Sequence, residues 1–119
     1  MNSQGKDPGR PELSLVAPAY NEAQCIEQVL HSWHNYAASL AYATEIVVAN
    51  DGSQDETKTI LDRLTQEIPG LRVVHLPRNQ GYGAALSAGI AASRGNWVLT
   101  LDSDGQFDVA QHQSERCNQ

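Results

Sequence analysis

Trp97-Val98-Leu99-Thr100-Leu101-Asp102-Ser103-Asp104-Gly105-Gln106-Phe107-Asp108 is the stretch on which the reading of this chain turns. Its first five residues form an apolar run, bounded by Gly95 and Gly105, that predicts a short buried strand. Residues two apart on an extended chain point the same way, so Asp102 and Asp104 converge at the end of that strand. Two carboxylates that close repel each other: either one takes up a proton or a cation lies between them. Hard oxygen donors suit Mg²⁺ or Mn²⁺ and not zinc. The same residues could also be plain turn formers. An EF-hand loop is excluded, because Phe107 stands where that loop needs glycine and Gln113 where it needs its last glutamate.

Upstream, the chain repeats one pattern of strand, polar turn and helix. Residues 13–17 predict a first strand, closed by Pro18. Asn21 follows as a helix N-cap with Gln24 at the capping-box position, and Ile26, Val29, Leu30, Trp33, Ala37 and Leu40 recur at helical spacing. Residues 45–49 predict a second strand, whose β-branched centre implies burial on both faces. Ser53 and Glu56 read as a capping box for a second helix carrying Ile60, Leu61, Leu64 and Ile68, ended by Pro69-Gly70. Residues 72–76 predict a third strand, and residues 84–93 a helix of small side chains able to lie close to a sheet. Trp33 and Trp97 read as core. Strands alternating with helices define an α/β fold with a parallel sheet and flanking helices.

The polar turns carry the functional signal, since each follows the C-terminal end of a strand, the edge where open parallel sheets bind ligands. Asp51 is a turn former or a ligand-binding carboxylate there. Gly81-Tyr82-Gly83 lacks the third glycine of the dinucleotide fingerprint, Leu86 standing in its place, and follows the third strand instead of the first. Dinucleotide binding is therefore excluded, leaving close backbone approach to a ligand or simple turn chemistry. His31 and His34 have no third ligand in sight and read as surface or half-buried residues.

The 119 residues allow one domain, read as an N-terminal arm over 1–11, a folded part over 12–108 and a tail over 109–119. A net charge of −6 with eight scattered Lys and Arg excludes nucleic acid as the main partner. An anionic ligand would need a metal ion or backbone N–H groups. Cys25 and Cys117 form no metal-binding spacing, which with the polar N-terminus predicts reduced thiols in a cytoplasmic protein.

Four segments taken together, Ala17-Pro18-Ala19-Tyr20-Asn21-Glu22, Val48-Ala49-Asn50-Asp51-Gly52-Ser53-Gln54-Asp55, Arg78-Asn79-Gln80-Gly81-Tyr82-Gly83-Ala84-Ala85 and Leu101-Asp102-Ser103-Asp104-Gly105-Gln106, are similar to family 2 glycosyltransferases of the GT-A fold. Within that family the likeness is to the dolichyl- or polyprenyl-phosphate sugar synthases. The resemblance implies a Rossmann-like sheet with a UDP- or GDP-linked sugar bound over its edge and transferred with inversion. Pro18, Tyr20 and Glu22 would cradle the nucleoside, Asp51 would hydrogen-bond the base, and Arg78, Gly81 and Gly83 would border the nucleotide. Asp102 would approach the ribose and the metal, while Asp104 and Gln106 would hold Mn²⁺ or Mg²⁺.

In two respects the chain departs from the family. Asn50 stands where an aspartate is more usual, and the chain ends soon after the fourth strand, where the family continues into an acceptor-binding half that supplies the catalytic base. The expectation is a truncated chain with no catalytic residue of its own and an exposed edge strand through which copies associate. The alternative is a non-catalytic remnant that binds a nucleotide or a partner. A polyprenyl phosphate acceptor would bring a full-length parent to the membrane surface.

Overall fold

The computed structural model describes residues 10–101. Four strands form one parallel sheet in the order β3-β2-β1-β4. In sequence these are β1 (Leu13–Ala19), β2 (Thr44–Asn50), β3 (Leu71–His75) and β4 (Trp97–Thr100). Between them run α1 (Ile26–Ala38), α2 (Thr57–Glu67) and α3 (Tyr82–Ala92). None of these helices is long and apolar enough to cross a membrane.

Alternation along the central strands divides the core into two layers. Leu15, Ala17 and Ala19 of β1 and Ile46 and Val48 of β2 pack with Ile26, Val29, Leu30 and Trp33 of α1 and Leu61 and Leu64 of α2. Each leucine, isoleucine or valine side chain among them, fully buried, contributes about 1.5–3 kcal/mol. On the other face lie Val16, Val47 and Ala49, and α3 covers them at short range. A Cβ added at Gly89 would stand 2.7 Å from the Val16 Cγ1, so the small residues of α3 are a packing requirement.

The reversal of strand order follows from this layering. After β3 the chain passes along the second face as α3 and returns beyond β1 to form β4. The order therefore reverses beside β1, and the crevice at its C-terminal end is the natural ligand position of such a sheet.

Several element ends differ from those expected. β1 runs on through Pro18 to Ala19. The Ala19 carbonyl accepts from Asp51 on the β2 side and the Val16 carbonyl from Leu101 on the β4 side, so the Pro18 nitrogen faces the β4 side. There the β1–β4 ladder has already reached its last pair, Val16 with Thr100, and no β2 bond is lost. β4 is exposed throughout and Trp97 is 74% exposed, so Trp97 is not core, whereas Trp33 is fully buried. Cys25 is disulfide-bonded and not the reduced thiol expected.

One buried carboxylate pins the return of α3 to β4. Glu45 is 2% exposed. Its Oε2 accepts from the Ser14 hydroxyl at 2.6 Å and the Arg94 N–H at 2.7 Å. Its Oε1 lies 3.5 Å from Arg72 and 3.4 Å from Arg94. Burial alone would raise this carboxyl, but the Ser14 and Arg94 hydrogen bonds and the two guanidinium charges outweigh it and hold it below the usual range. A depressed carboxyl stabilises the fold fully above the ordinary glutamate value of about 4.3 and ceases to do so as pH falls through the folded value. Glu45→Gln is expected to cost about 2 kcal/mol in urea unfolding at neutral pH. The difference between parent and variant should narrow below about pH 4.

Candidate functional site

At the C-terminal edge of the sheet, the loop after β3 is fastened to the end of β2 by Asp51. This residue is 3% exposed. Its Oδ1 accepts from the Gln80 N–H at 2.7 Å, and its Oδ2 from the Gly81 N–H at 3.0 Å and the Asn79 Nδ2 at 3.1 Å. A carboxylate offers about four lone-pair positions, so one on Oδ1 is still available to a further donor. Gly81 (φ +102°) then opens α3, its carbonyl accepting from Ala85.

Close approach of the two loops depends on Gly52. Its φ is +69°, and a Cβ there would lie 2.2 Å from the Arg78 carbonyl carbon and 2.3 Å from the Asn79 nitrogen. Only a residue without a side chain lets the β3 loop cross at that point.

The loop after β1 is locked to the loop after β2 in a similar way. The Asn21 N–H donates to the Ser53 hydroxyl, and its Oδ1 accepts from Gln54 at 2.8 Å. The Glu22 N–H donates to the Thr57 hydroxyl and the Ala23 N–H to Asp55. Burial would raise the Asp55 carboxyl, but donors from Thr57 and Ala23 outweigh it and hold it below the usual range. Asn21 and Ser53 are therefore not the caps of their own helices: α1 and α2 begin after Cys25 and Glu56, neither with a side-chain cap. These side chains are engaged across loops, and Asn21 takes a left-handed φ of +51° to reach its partners.

Of the residues singled out from sequence, the structure brings Pro18, Tyr20, Glu22, Asp51, Arg78, Gly81 and Gly83 to one edge. Pro18 and Asp51 are buried there, Glu22 is half-buried, and Tyr20, Arg78 and Gly83 are exposed. Among the described residues, a Cβ added at Gly83 would meet nothing within 4 Å. Asp102, Asp104 and Gln106 lie outside the described residues. Leu101, just before them, is buried and donates to the Val16 carbonyl, which holds the end of β4 beside β1.

Sequence reasoning passed over Asn79 and the role of Gly52, although the Asn50-Asp51-Gly52 tripeptide was the available signal. It also passed over a cavity of about 420 Å³ between the β2 and β3 loops, lined by Ser53, Lys58, His75 and Arg78 among others. On the outer surface, Glu27, His31 and Glu67 stand close enough together to share a cation. Arg63 already bridges the two glutamates at 2.7 and 2.8 Å, and its hydrogen bond first, then its charge, keeps the Glu27 carboxyl low. This cluster ties α1 to α2.

Comparison with known proteins agrees with this geometry. Residues 14–112 match the family profile described as glycosyl transferase family 2. A dolichyl-phosphate beta-glucosyltransferase of Trichomonas vaginalis is 41% identical over 108 residues, covering 87% of this chain and 33% of that protein. The chain thus spans about a third of that relative's length. Among solved structures, S. aureus TarS (1–349) in complex with UDP-GlcNAc superposes with a TM-score of 0.67 at 28% identity, over 78% of this chain and 26% of TarS. Glucosyl-3-phosphoglycerate synthase from Mycobacterium tuberculosis, in complex with Mn²⁺, UDP and glucosyl-3-phosphoglycerate, gives 0.60 at 32% identity, over 80% of this chain and 34% of the synthase. The sheet is the Rossmann-like core of the GT-A fold.

Replacing Gly52 with alanine tests the loop crossing. Gly52→Ala is expected to lower unfolding free energy by about 3 kcal/mol, from overlap with the β3 loop and from the left-handed φ. An unchanged denaturation midpoint would contradict the crossing.

Proposed function

Because the chain belongs to glycosyl transferase family 2, we propose that it binds a UDP- or GDP-linked sugar as the donor part of a transferase. The observation that carries this reading is the joining of three loops at one sheet edge, beside the reversal of strand order. In this reading Pro18, Tyr20 and Glu22 cradle the nucleoside, and Arg78 borders the nucleotide. Asp51 holds the β3 loop and keeps the remaining Oδ1 lone pair for an N–H of the base. Among the described residues nothing crowds Gly83, two positions beyond Gly81, which leaves room for a ligand to approach the backbone.

The acidic chain has to hold a diphosphate, and the donor set of Asp102, Asp104 and Gln106 is all oxygen, which fits Mn²⁺ or Mg²⁺. Those residues would hold the ion, and its chemistry is to neutralise charge on the leaving nucleoside diphosphate. The proposed transfer is a direct displacement with inversion: an acceptor oxygen bonds to the anomeric carbon as the bond from that carbon to the phosphate oxygen breaks. The proposed acceptor is a polyprenyl phosphate, with the protein cytoplasmic and a longer parent peripheral to the membrane. No residue of this chain is assigned as the catalytic base.

A second reading, in which the chain binds without transferring, draws on β4. Trp97, Val98 and Leu99 are exposed, and among the described residues β4 pairs with β1 alone. Such an edge offers unpaired backbone groups and apolar surface to a second copy of the chain.

Calorimetric titration of UDP, GDP and their sugar conjugates, with Mn²⁺ and then with chelator, tests both readings. The expected result is binding of one nucleotide that needs the metal, weakened at least about tenfold by Asp104→Asn. Light scattering on the same sample should give a mass above that of one chain. Absence of binding by the folded chain would overturn the donor site, and a monodisperse monomer at high concentration would overturn the self-association.

A further inference from the structure

The hydrogen bonds around His75, at the end of β3, all run in one direction. The Asn21 N–H donates to the Ser53 hydroxyl at 2.9 Å, and that hydroxyl donates to the Asn50 Oδ1 at 2.6 Å. The Ser53 N–H also points to Oδ1, at 3.3 Å. A backbone N–H can only donate, so the atom facing Ser53 is the amide oxygen, and the Asn50 NH₂ must face the other way. It lies 3.0 Å from the His75 Nδ1, which must then accept. The ring proton is therefore on Nε2, 2.7 Å from the Asp62 Oδ1 to which it donates. Every donor in the series points toward the Asp62 carboxylate, an arrangement in which each bond polarises the next.

A second proton on His75 breaks this order. Protonated imidazole is a donor at both nitrogens, so Nδ1–H would confront the Asn50 NH₂. Turning the amide over to present Oδ1 to His75 would set the NH₂ against the Ser53 N–H. Asn50 is 2% exposed, and an unsatisfied buried donor costs about 1–3 kcal/mol. The charged groups around the ring are few. Asp62 faces it from α2, with Lys58 3.4 Å from Asp62; Arg78 shares the same cavity from the loop beyond β3; the neutral Asn50 amide faces it from β2. The His75 hydrogen bond is the first cause holding the Asp62 carboxyl below its usual range, so Asp62 is the acceptor for the Nε2–H.

We propose that His75 is a positioning residue of the cleft: its neutral Nε2–H form orients the Asn50 amide, and its protonation loosens Ser53 and the Asn21 turn between Tyr20 and Glu22. Its consequence for nucleotide binding rests on the donor-site reading above. The coupling of His75 to the β1 loop does not. On that reading, protonation of His75 lowers donor affinity.

NMR of the ¹⁵N-labelled full chain between about pH 5 and 8 tests the coupling. The neutral ring should be the Nε2–H tautomer, and the Asn21 and Ser53 amides should shift with the His75 midpoint. In His75→Gln, whose amide can accept from Asn50 and donate to Asp62, both amides should stay in place and cease to titrate. Asn50→Asp puts an acceptor against Nδ1 and should move the His75 midpoint to higher pH, a readout that stands if the Gln variant does not fold. Nucleotide affinity should fall several-fold through the midpoint in the parent and be flat in His75→Gln. Amides that ignore His75, an Nδ1–H ring, an unmoved midpoint in Asn50→Asp, or the same affinity profile in parent and His75→Gln would overturn the proposal. Coupled amides with no nucleotide bound at any pH would uphold it and overturn the donor-site reading instead.

Discussion

A single carboxylate, that of Asp51, accepting two backbone N–H groups and one side-chain amide from the β3 loop, is the interaction on which the rest of the cleft depends. The two N–H groups belong to Gln80 and Gly81, which lead into α3 and have no helical acceptor of their own. Hydrogen bonds to a charged acceptor contribute about 1.5–3 kcal/mol each, enough to fix a loop that would otherwise be held mainly by solvent. Gly52 makes the approach possible by leaving out the Cβ that would collide with Arg78 and Asn79. The start of α3 is thus set by β2, its neighbour in the sheet.

From that fastening the site extends toward β1 by side chains that bridge loops. Asn21, Ser53, Asp55 and Thr57 accept from backbone N–H groups of the two loops, so the β1 side of the cleft has little freedom once β1 and β2 are paired. Rigid loops on a parallel sheet favour a ligand that needs shape and backbone contact, as a nucleotide does. Strand reversal at β1 then brings Leu101, at the end of β4, to the same edge.

Much of this was legible in the chain. The spacing of Ile26, Val29, Leu30 and Trp33 marks α1 because one face must be buried, and that requirement leaves a period of its own. The polar clusters after β1, β2 and β3 foretold that these three loops would meet. Other features leave no local period. Asn21 and Ser53 resemble caps because the same short side chains serve helix ends and loop bridges alike, and only the register of β1 against β2 decides between them. Pro18 reads as a strand end, yet β1 continues past it because its nitrogen faces the side where the β4 ladder stops. Trp97 reads as core from its type, but its burial depends on what lies beside β4 and not on β4 itself. Asp51 reads as a turn former or a ligand contact; its three loop donors come from residues nearly thirty positions away.

Amide hydrogen exchange in Asp51→Asn against the parent tests the central claim most directly. Replacing one carboxylate oxygen by a donor should lower protection of the Gln80 and Gly81 amides by about ten- to a hundredfold, corresponding to the loss of one charge-assisted bond. Val47 and Val48 in the middle of β2 should keep theirs. Equal protection of Gln80 and Gly81 in both proteins would contradict the account, because the β3 loop would then owe its position to something other than Asp51.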